Sequence, residues 1–123
     1  ILIGAFVTVI LSLLLCLVAL SPDTFEGVKN ITVNISHTDG TVYTEEIKTT
    51  SRYLIDILEA HDLITGERSD EYGYVIISAD GEKADFSAGQ YWAFLINGAS
   101  PESELDLLQV ADGDTYAFYT YTY

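Results

Sequence analysis

The pattern of apolar and polar positions changes twice along this chain. Residues 1–20 (ILIGAFVTVILSLLLCLVAL) are apolar throughout, relieved only by Gly4, Thr8 and Ser12. Twenty helical residues span about 30 Å, the thickness of a bilayer's hydrocarbon core. Pro22 then stops any helix, because it lacks an amide hydrogen and restricts Ser21. The pattern predicts a transmembrane or signal helix over residues 1–21, a linker over 22–29 and a folded domain over 30–123. The length of the run favours an uncleaved single-span anchor over a cleaved signal peptide. Cys16 after Leu13-Leu14-Leu15 matches a lipoprotein signal only loosely. Each alternative puts the domain on the extracytoplasmic side of a cell membrane.

Past the linker the period becomes two. Ile31, Val33 and Ile35 alternate with Thr32, Asn34 and Ser36, a half-buried strand. Asp39-Gly40 turns the chain into a second strand from Val42 to Thr49. Leu54, Ile57, Leu58 and His61 then fall at i, i+3, i+4 and i+7, one face of a helix that Thr50 or Ser51 can cap. Asp62 to Gly73 is polar and reads as a loop. Tyr74 to Ser78, Tyr91 to Ile96 and Thr115 to Tyr123 read as strands, with turns at Asp80-Gly81, Asn97-Gly98 and Asp112-Gly113-Asp114. Strand, strand, helix, strand, strand, strand predicts an α+β, β-grasp-like fold, with a mixed sheet of about five strands over one helix.

Charge narrows the function. The chain carries 19 acidic and 5 basic residues, a formal charge of −14, and all of them lie after residue 22. Nucleic acid is excluded as a partner, since phosphate neutralisation needs clustered Lys and Arg. Acidity of one sign also keeps an exported domain soluble. With 49% hydrophobic and 12% aromatic residues, the chain has enough apolar surface to fold despite that charge.

Catalysis finds little support. His37 precedes a hairpin turn, and His61 continues the apolar face of the helix, where a partly buried structural role is expected. No nucleophile motif accompanies either histidine, so the reading is non-enzymatic, with no cofactor and no metal. Asp80, Glu82 and Asp85, and Asp112 with Asp114, supply carboxylates, but their spacing departs from the calcium-loop pattern and their Asp-Gly pairs are turn formers.

The aromatic residues say more. Adjacent side chains alternate across a strand, so Tyr91 and Trp92 face opposite ways, one onto the helix and the other outward or into an edge pocket. Tyr119, Tyr121 and Tyr123 likewise share one face, with Tyr116 and Phe118 on the other. Cross-strand packing accounts for such rings; a stacking platform for a flat ligand is the functional alternative.

The hairpin-then-helix start, the Tyr91-Trp92-Ala93-Phe94-Leu95-Ile96-Asn97-Gly98 strand and turn, and the late Asp112-Gly113-Asp114 turn with its aromatic strand resemble the transcobalamin C-terminal-like domain family. The resemblance covers about residues 29–123. It implies a small exported β-rich module, often tethered near a membrane. In the animal carriers of that family the equivalent domain closes over one side of a corrinoid. The expectation is therefore an extracytoplasmic, membrane-tethered binding module for a small, corrinoid-like molecule, with Tyr91, Trp92 and Asn97 as contacts. A structural or protein-interaction module at the cell surface is the alternative.

Overall fold

A computed structural model describes residues 27–123. The apolar run expected to form a membrane or signal helix lies outside these residues. Among the described residues no helix is long and apolar enough to cross a membrane.

Among the described residues seven strands, one α-helix and two short 3₁₀ turns follow in the order β1 (Lys29–Ser36), β2 (Val42–Thr49), α1 (Leu54–Ala60), β3 (Ile64–Ser69), β4 (Gly73–Ala79), β5 (Glu82–Lys83), a 3₁₀ turn (Phe86–Ala88), β6 (Gln90–Ile96), a second 3₁₀ turn (Leu105–Leu107) and β7 (Thr115–Thr122). They form two sheets rather than the single five-stranded sheet expected. The first is mixed, in the order β2-β1-β7-β6, and the second is antiparallel, in the order β3-β4-β5. One apolar cluster draws Val33, Ile35, Phe94 and Phe118 from the first sheet, Ile64 and Ile76 from the second, and Leu54, Ile57 and Leu58 from α1. The layering is β-sandwich-like, and the β-grasp-like α+β expectation is overturned.

The error has a local cause. Residues 62–73 carry no apolar alternation beyond Leu63 and Ile64, yet 64–69 pair with β4 through backbone groups, with a bulge between Thr65 and Gly66. An edge strand can be held by its ladder alone and leave polar side chains in water. With that partner in place, the strand around Tyr74–Ser78 is drawn into a separate sheet. The helix is only seven residues long and fills part of the core instead of crossing a broad sheet.

Its start also differs from expectation. Tyr53 occupies the N-cap with no side-chain cap, so neither Thr50 nor Ser51 serves. The segment after the second 3₁₀ turn does that work, because Leu54 N–H donates to Leu108 O at 3.1 Å and Val110 N–H donates to Arg52 O at 2.8 Å. His61 ends the helix exposed, with Nδ1 3.1 Å from Glu45 Oε2, and is not the partly buried residue expected.

In the first sheet the alternation holds. Ile31, Val33 and Ile35 are buried, and β7 lies parallel to β1 with Val33 opposite Tyr116 and Ile35 opposite Phe118. In the antiparallel β6–β7 pair, Phe94 faces Phe118 and Tyr91 faces Tyr121. Tyr116 and Phe118 therefore point inward, and Tyr119, Tyr121 and Tyr123 outward. Burying one such ring or a Leu is worth roughly 1.5–3 kcal/mol.

A candidate ligand-binding cleft

β6 is the edge of the first sheet, and β4 of the second sheet approaches it. A cleft of about 490 Å³ opens where they meet, within the size range of small-molecule sites. Tyr91, Trp92, Ala93 and Phe94 line it from β6, Tyr119 and Tyr121 from β7, and Tyr72, Tyr74, Val75 and Ile76 from the opposite side. Ser100, Pro101, Ser103 and Glu104, from the segment after β6, form its lip.

That lip is pinned by charge. The Arg68 guanidinium pairs with Glu104 and places Nη1 2.7 Å from the carboxylate of Asp106. Both pairings push the Arg68 pKa above its usual value, the bond to Asp106 first. Gly73 lets the lip come close. Its φ of +75° strains any residue with a side chain, and a Cβ there would stand 2.6 Å from Glu104 Oε1 and displace that carboxylate.

Tyr74, whose side chain helps line the cleft, carries an unusual polar group. Its hydroxyl is buried and has no hydrogen-bond partner among the described residues. Burial is the main cause of its raised pKa, with the charges of Glu59 and Asp106 adding to it. A buried, unpaired hydroxyl costs about 1–3 kcal/mol of stability.

The three residues expected to contact a ligand have separate fates. Tyr91 lies on the outer face of β6, half-buried in the cleft and stacked on Tyr121 with ring centroids 5.7 Å apart. Trp92 is 6% exposed; it turns inward, yet its position on β6 also gives the cleft part of its wall. Rather than resting on the helix, it donates Nε1–H to Glu82 O at 3.0 Å and meets His37 edge-on, with centroids 6.4 Å apart. Asn97 is not brought to the cleft. Its φ of 51° makes the turn, its Nδ2 donates to Asp114 Oδ1 at 2.9 Å, and its Oδ1 accepts from Thr115 N–H at 2.8 Å.

The two turn motifs are thus parts of one lock. Besides Asn97, the Asp114 carboxylate accepts from Ala111 N–H at 3.0 Å and from the Tyr116 hydroxyl at 2.8 Å. Burial, then this bond, raises the Tyr116 pKa well above its ordinary value. Asp112 Oδ1 accepts from Asn30 N–H at 2.7 Å, so the same turn also holds the start of β1.

Sequence reasoning missed the role of His37. Its Nε2 lies 2.8 Å from Asp80 Oδ2 and its Nδ1 2.7 Å from Glu82 Oε1. Ionised carboxylates only accept, so both ring nitrogens must donate, which requires the imidazolium form. The bond to Asp80, then that to Glu82, raises the His37 pKa, while the Thr38 hydroxyl, then His37, lowers that of Glu82. The ring therefore clasps the end of β1 to the β4–β5 turn. The two carboxylates lie on opposite sides of the ring and do not converge on a shared point. Asp85 meanwhile accepts from the Ser87 hydroxyl at 2.5 Å, which lowers its pKa. Among the described residues no group of three or more His, Cys, Asp or Glu side chains is arranged to hold a metal ion.

Fold and cleft together define a small β-sandwich-like domain with an aromatic pocket at a sheet edge. The chain belongs to the family described as Domain of unknown function (DUF4430), which matches residues 52–121 and so includes the cleft from Tyr72 to Tyr121. Among solved structures, a "putative metal binding protein" from Ruminococcus gnavus ATCC 29149 is similar at 34% identity and a TM-score of 0.72, covering 77% of this chain and 98% of that one. Haptocorrin in complex with Cbi is similar in fold, at 17% identity and a TM-score of 0.58; the match covers 78% of this chain and 26% of that one. The likeness to transcobalamin-type domains thus holds at the level of the fold. No curated protein matches the chain.

Proposed function

We propose that this domain is a non-enzymatic binding module that takes a small molecule with a flat apolar face into the cleft between β6 and β4. The observation that carries this reading is the group of aromatic side chains that lines the cleft, Tyr91, Trp92, Tyr119 and Tyr121 on one side with Tyr72 and Tyr74 opposite. Stacking on Tyr91 and Tyr121 and contact with the Trp92 wall would together hold such a ligand. A corrinoid is the first class to test, because the fold is shared with a carrier solved in complex with Cbi. The apolar run at residues 1–20 supports tethering to a membrane with the domain on the extracytoplasmic side.

Equilibrium dialysis of the full chain, in maltoside micelles, against cobinamide tests the reading. Retention is expected for the native protein, with emission of Trp92, the sole tryptophan, perturbed on binding. Retention is expected to fall about tenfold in Tyr91→Ala, the loss of one good stacking contact. No retention at millimolar cobinamide would remove the corrinoid assignment.

A further inference from the structure

The cleft continues into a second pocket with an unusual wall. Tyr72, Phe86, Tyr91, Tyr121 and Tyr123 line it, with Val75 as the one aliphatic residue. These rings come from the β3–β4 turn, the first 3₁₀ turn, β6 and β7. Four of them pack on one another, and Tyr72 lines the same pocket to complete an aromatic box. Tyr121 stacks on Tyr91, Tyr123 stands edge-on to both at 5.6 and 5.3 Å, and Phe86 tilts against Tyr91 at 5.6 Å. The core does not need them, since Trp92, Phe94 and Phe118 fill the inner face of the same two strands. Tyr72 and Tyr123 remain 75% and 89% exposed.

Charge chooses the occupant. Of the five cationic side chains, Lys29, Lys48, Arg52, Arg68 and Lys83, none is among the described residues that line the box or the adjoining cleft, nor is either histidine. The segments that carry Tyr72 and Phe86 bring Asp70, Glu71 and Asp85 beside them in the chain, while Glu104 at the lip of the cleft is already paired with Arg68. An anion would meet aromatic faces of negative quadrupole and a protein of charge −14. A small inorganic cation would have to leave a strongly held hydration shell for rings that cannot replace it. A weakly hydrated organic cation suffers neither cost.

Resting on the reading of the cleft as a small-molecule site, we propose that the aromatic box is its cation subsite, taking a quaternary ammonium or alkylated amine by cation–π contact. Tyr91 and Tyr121 line both pockets, so a ligand with a flat body and a cationic arm would occupy the two together.

Choline and its neutral isostere 3,3-dimethyl-1-butanol share a shape and differ in charge, so they isolate the claim. Titrated calorimetrically into the full chain, with empty micelles as the blank, choline is expected to bind about tenfold more tightly than the alcohol. The preference should shrink as sodium chloride rises. Tyr91→Ala should abolish it, whereas Tyr91→Phe, which keeps the ring, should retain it. Tyr123→Ala provides a second variant at an exposed position and should weaken choline severalfold. Equal binding of the two probes, or no choline binding, overturns the cation subsite. Retention of cobinamide in dialysis would then leave the cleft reading intact, and silence in both experiments would end both proposals.

Discussion

β6 and β7 present the same kinds of residue on two faces and use them in opposite ways. On the inner face Phe94 stacks on Phe118 at 5.3 Å, and both lie buried in the cluster that joins the sheets. On the outer face Tyr91, Tyr119, Tyr121 and Tyr123 are at least partly in water, and Tyr91, Tyr121 and Tyr123 lean on one another. Identical backbone ladders support both sets. The difference lies in what covers them: a second sheet and α1 on one side, short turns that include Phe86 and the lip on the other. Aromatic content by itself therefore says little about stability or function; the covering layer decides.

Truncation should separate the faces sharply. Phe118→Ala opens a cavity in a buried site and is expected to cost about 3–5 kcal/mol in denaturant unfolding. Comparable losses for Phe118→Ala and Tyr121→Ala would erase the distinction between the faces. Next in size is Asp114→Ala, which strips the buried Tyr116 hydroxyl of its acceptor and unlocks Asn97; about 1–3 kcal/mol should be lost in the same measurement. The outer-face variant Tyr121→Ala should cost only about 0.5–1.5 kcal/mol, the value of one aromatic pair, while weakening ligand retention more than Phe94→Leu does.

The smallest effect concerns pH. The folded His37 pKa is raised above its ordinary 6.5, so the clasp contributes fully below that value and is lost as pH rises through the folded value. The folded Glu82 pKa is lowered below 4.5, so its contribution is present above that value and fades as pH falls through the folded one. Melting temperature should therefore decline on the alkaline side of about pH 6.5 in the native protein and stay flatter in His37→Gln. A native profile unchanged from mildly acidic to alkaline pH would show that the clasp contributes nothing.

Much of the secondary structure was legible in the residues. Alternation marked β1, turn signals and strand-favouring residues marked β2, β4, β6 and β7, and the period of two correctly divided Tyr116 and Phe118 from Tyr119, Tyr121 and Tyr123. The i, i+3, i+4 spacing found α1. It failed at β3, where Thr65 to Ser69 show no apolar period because the strand is held by its backbone ladder with β4. Of the expected contacts, Tyr91 and Trp92 reach the cleft and Asn97 does not. The amide of Asn97 is taken by Asp114 and Thr115, a pairing that spans 17 and 18 residues and leaves no local trace.

Local pattern alone determined most of the strands, the apolar side of β1 and that residues 1–20 form an uncharged apolar run, because those properties depend on neighbours one to four positions away. Only the tertiary structure decided that there are two sheets, that His37 reaches carboxylates 43 and 45 residues distant, and that aromatic rings from four segments meet at one edge. Such pairings are chosen by long-range backbone ladders and side-chain geometry, which compete on equal terms until the whole chain has closed.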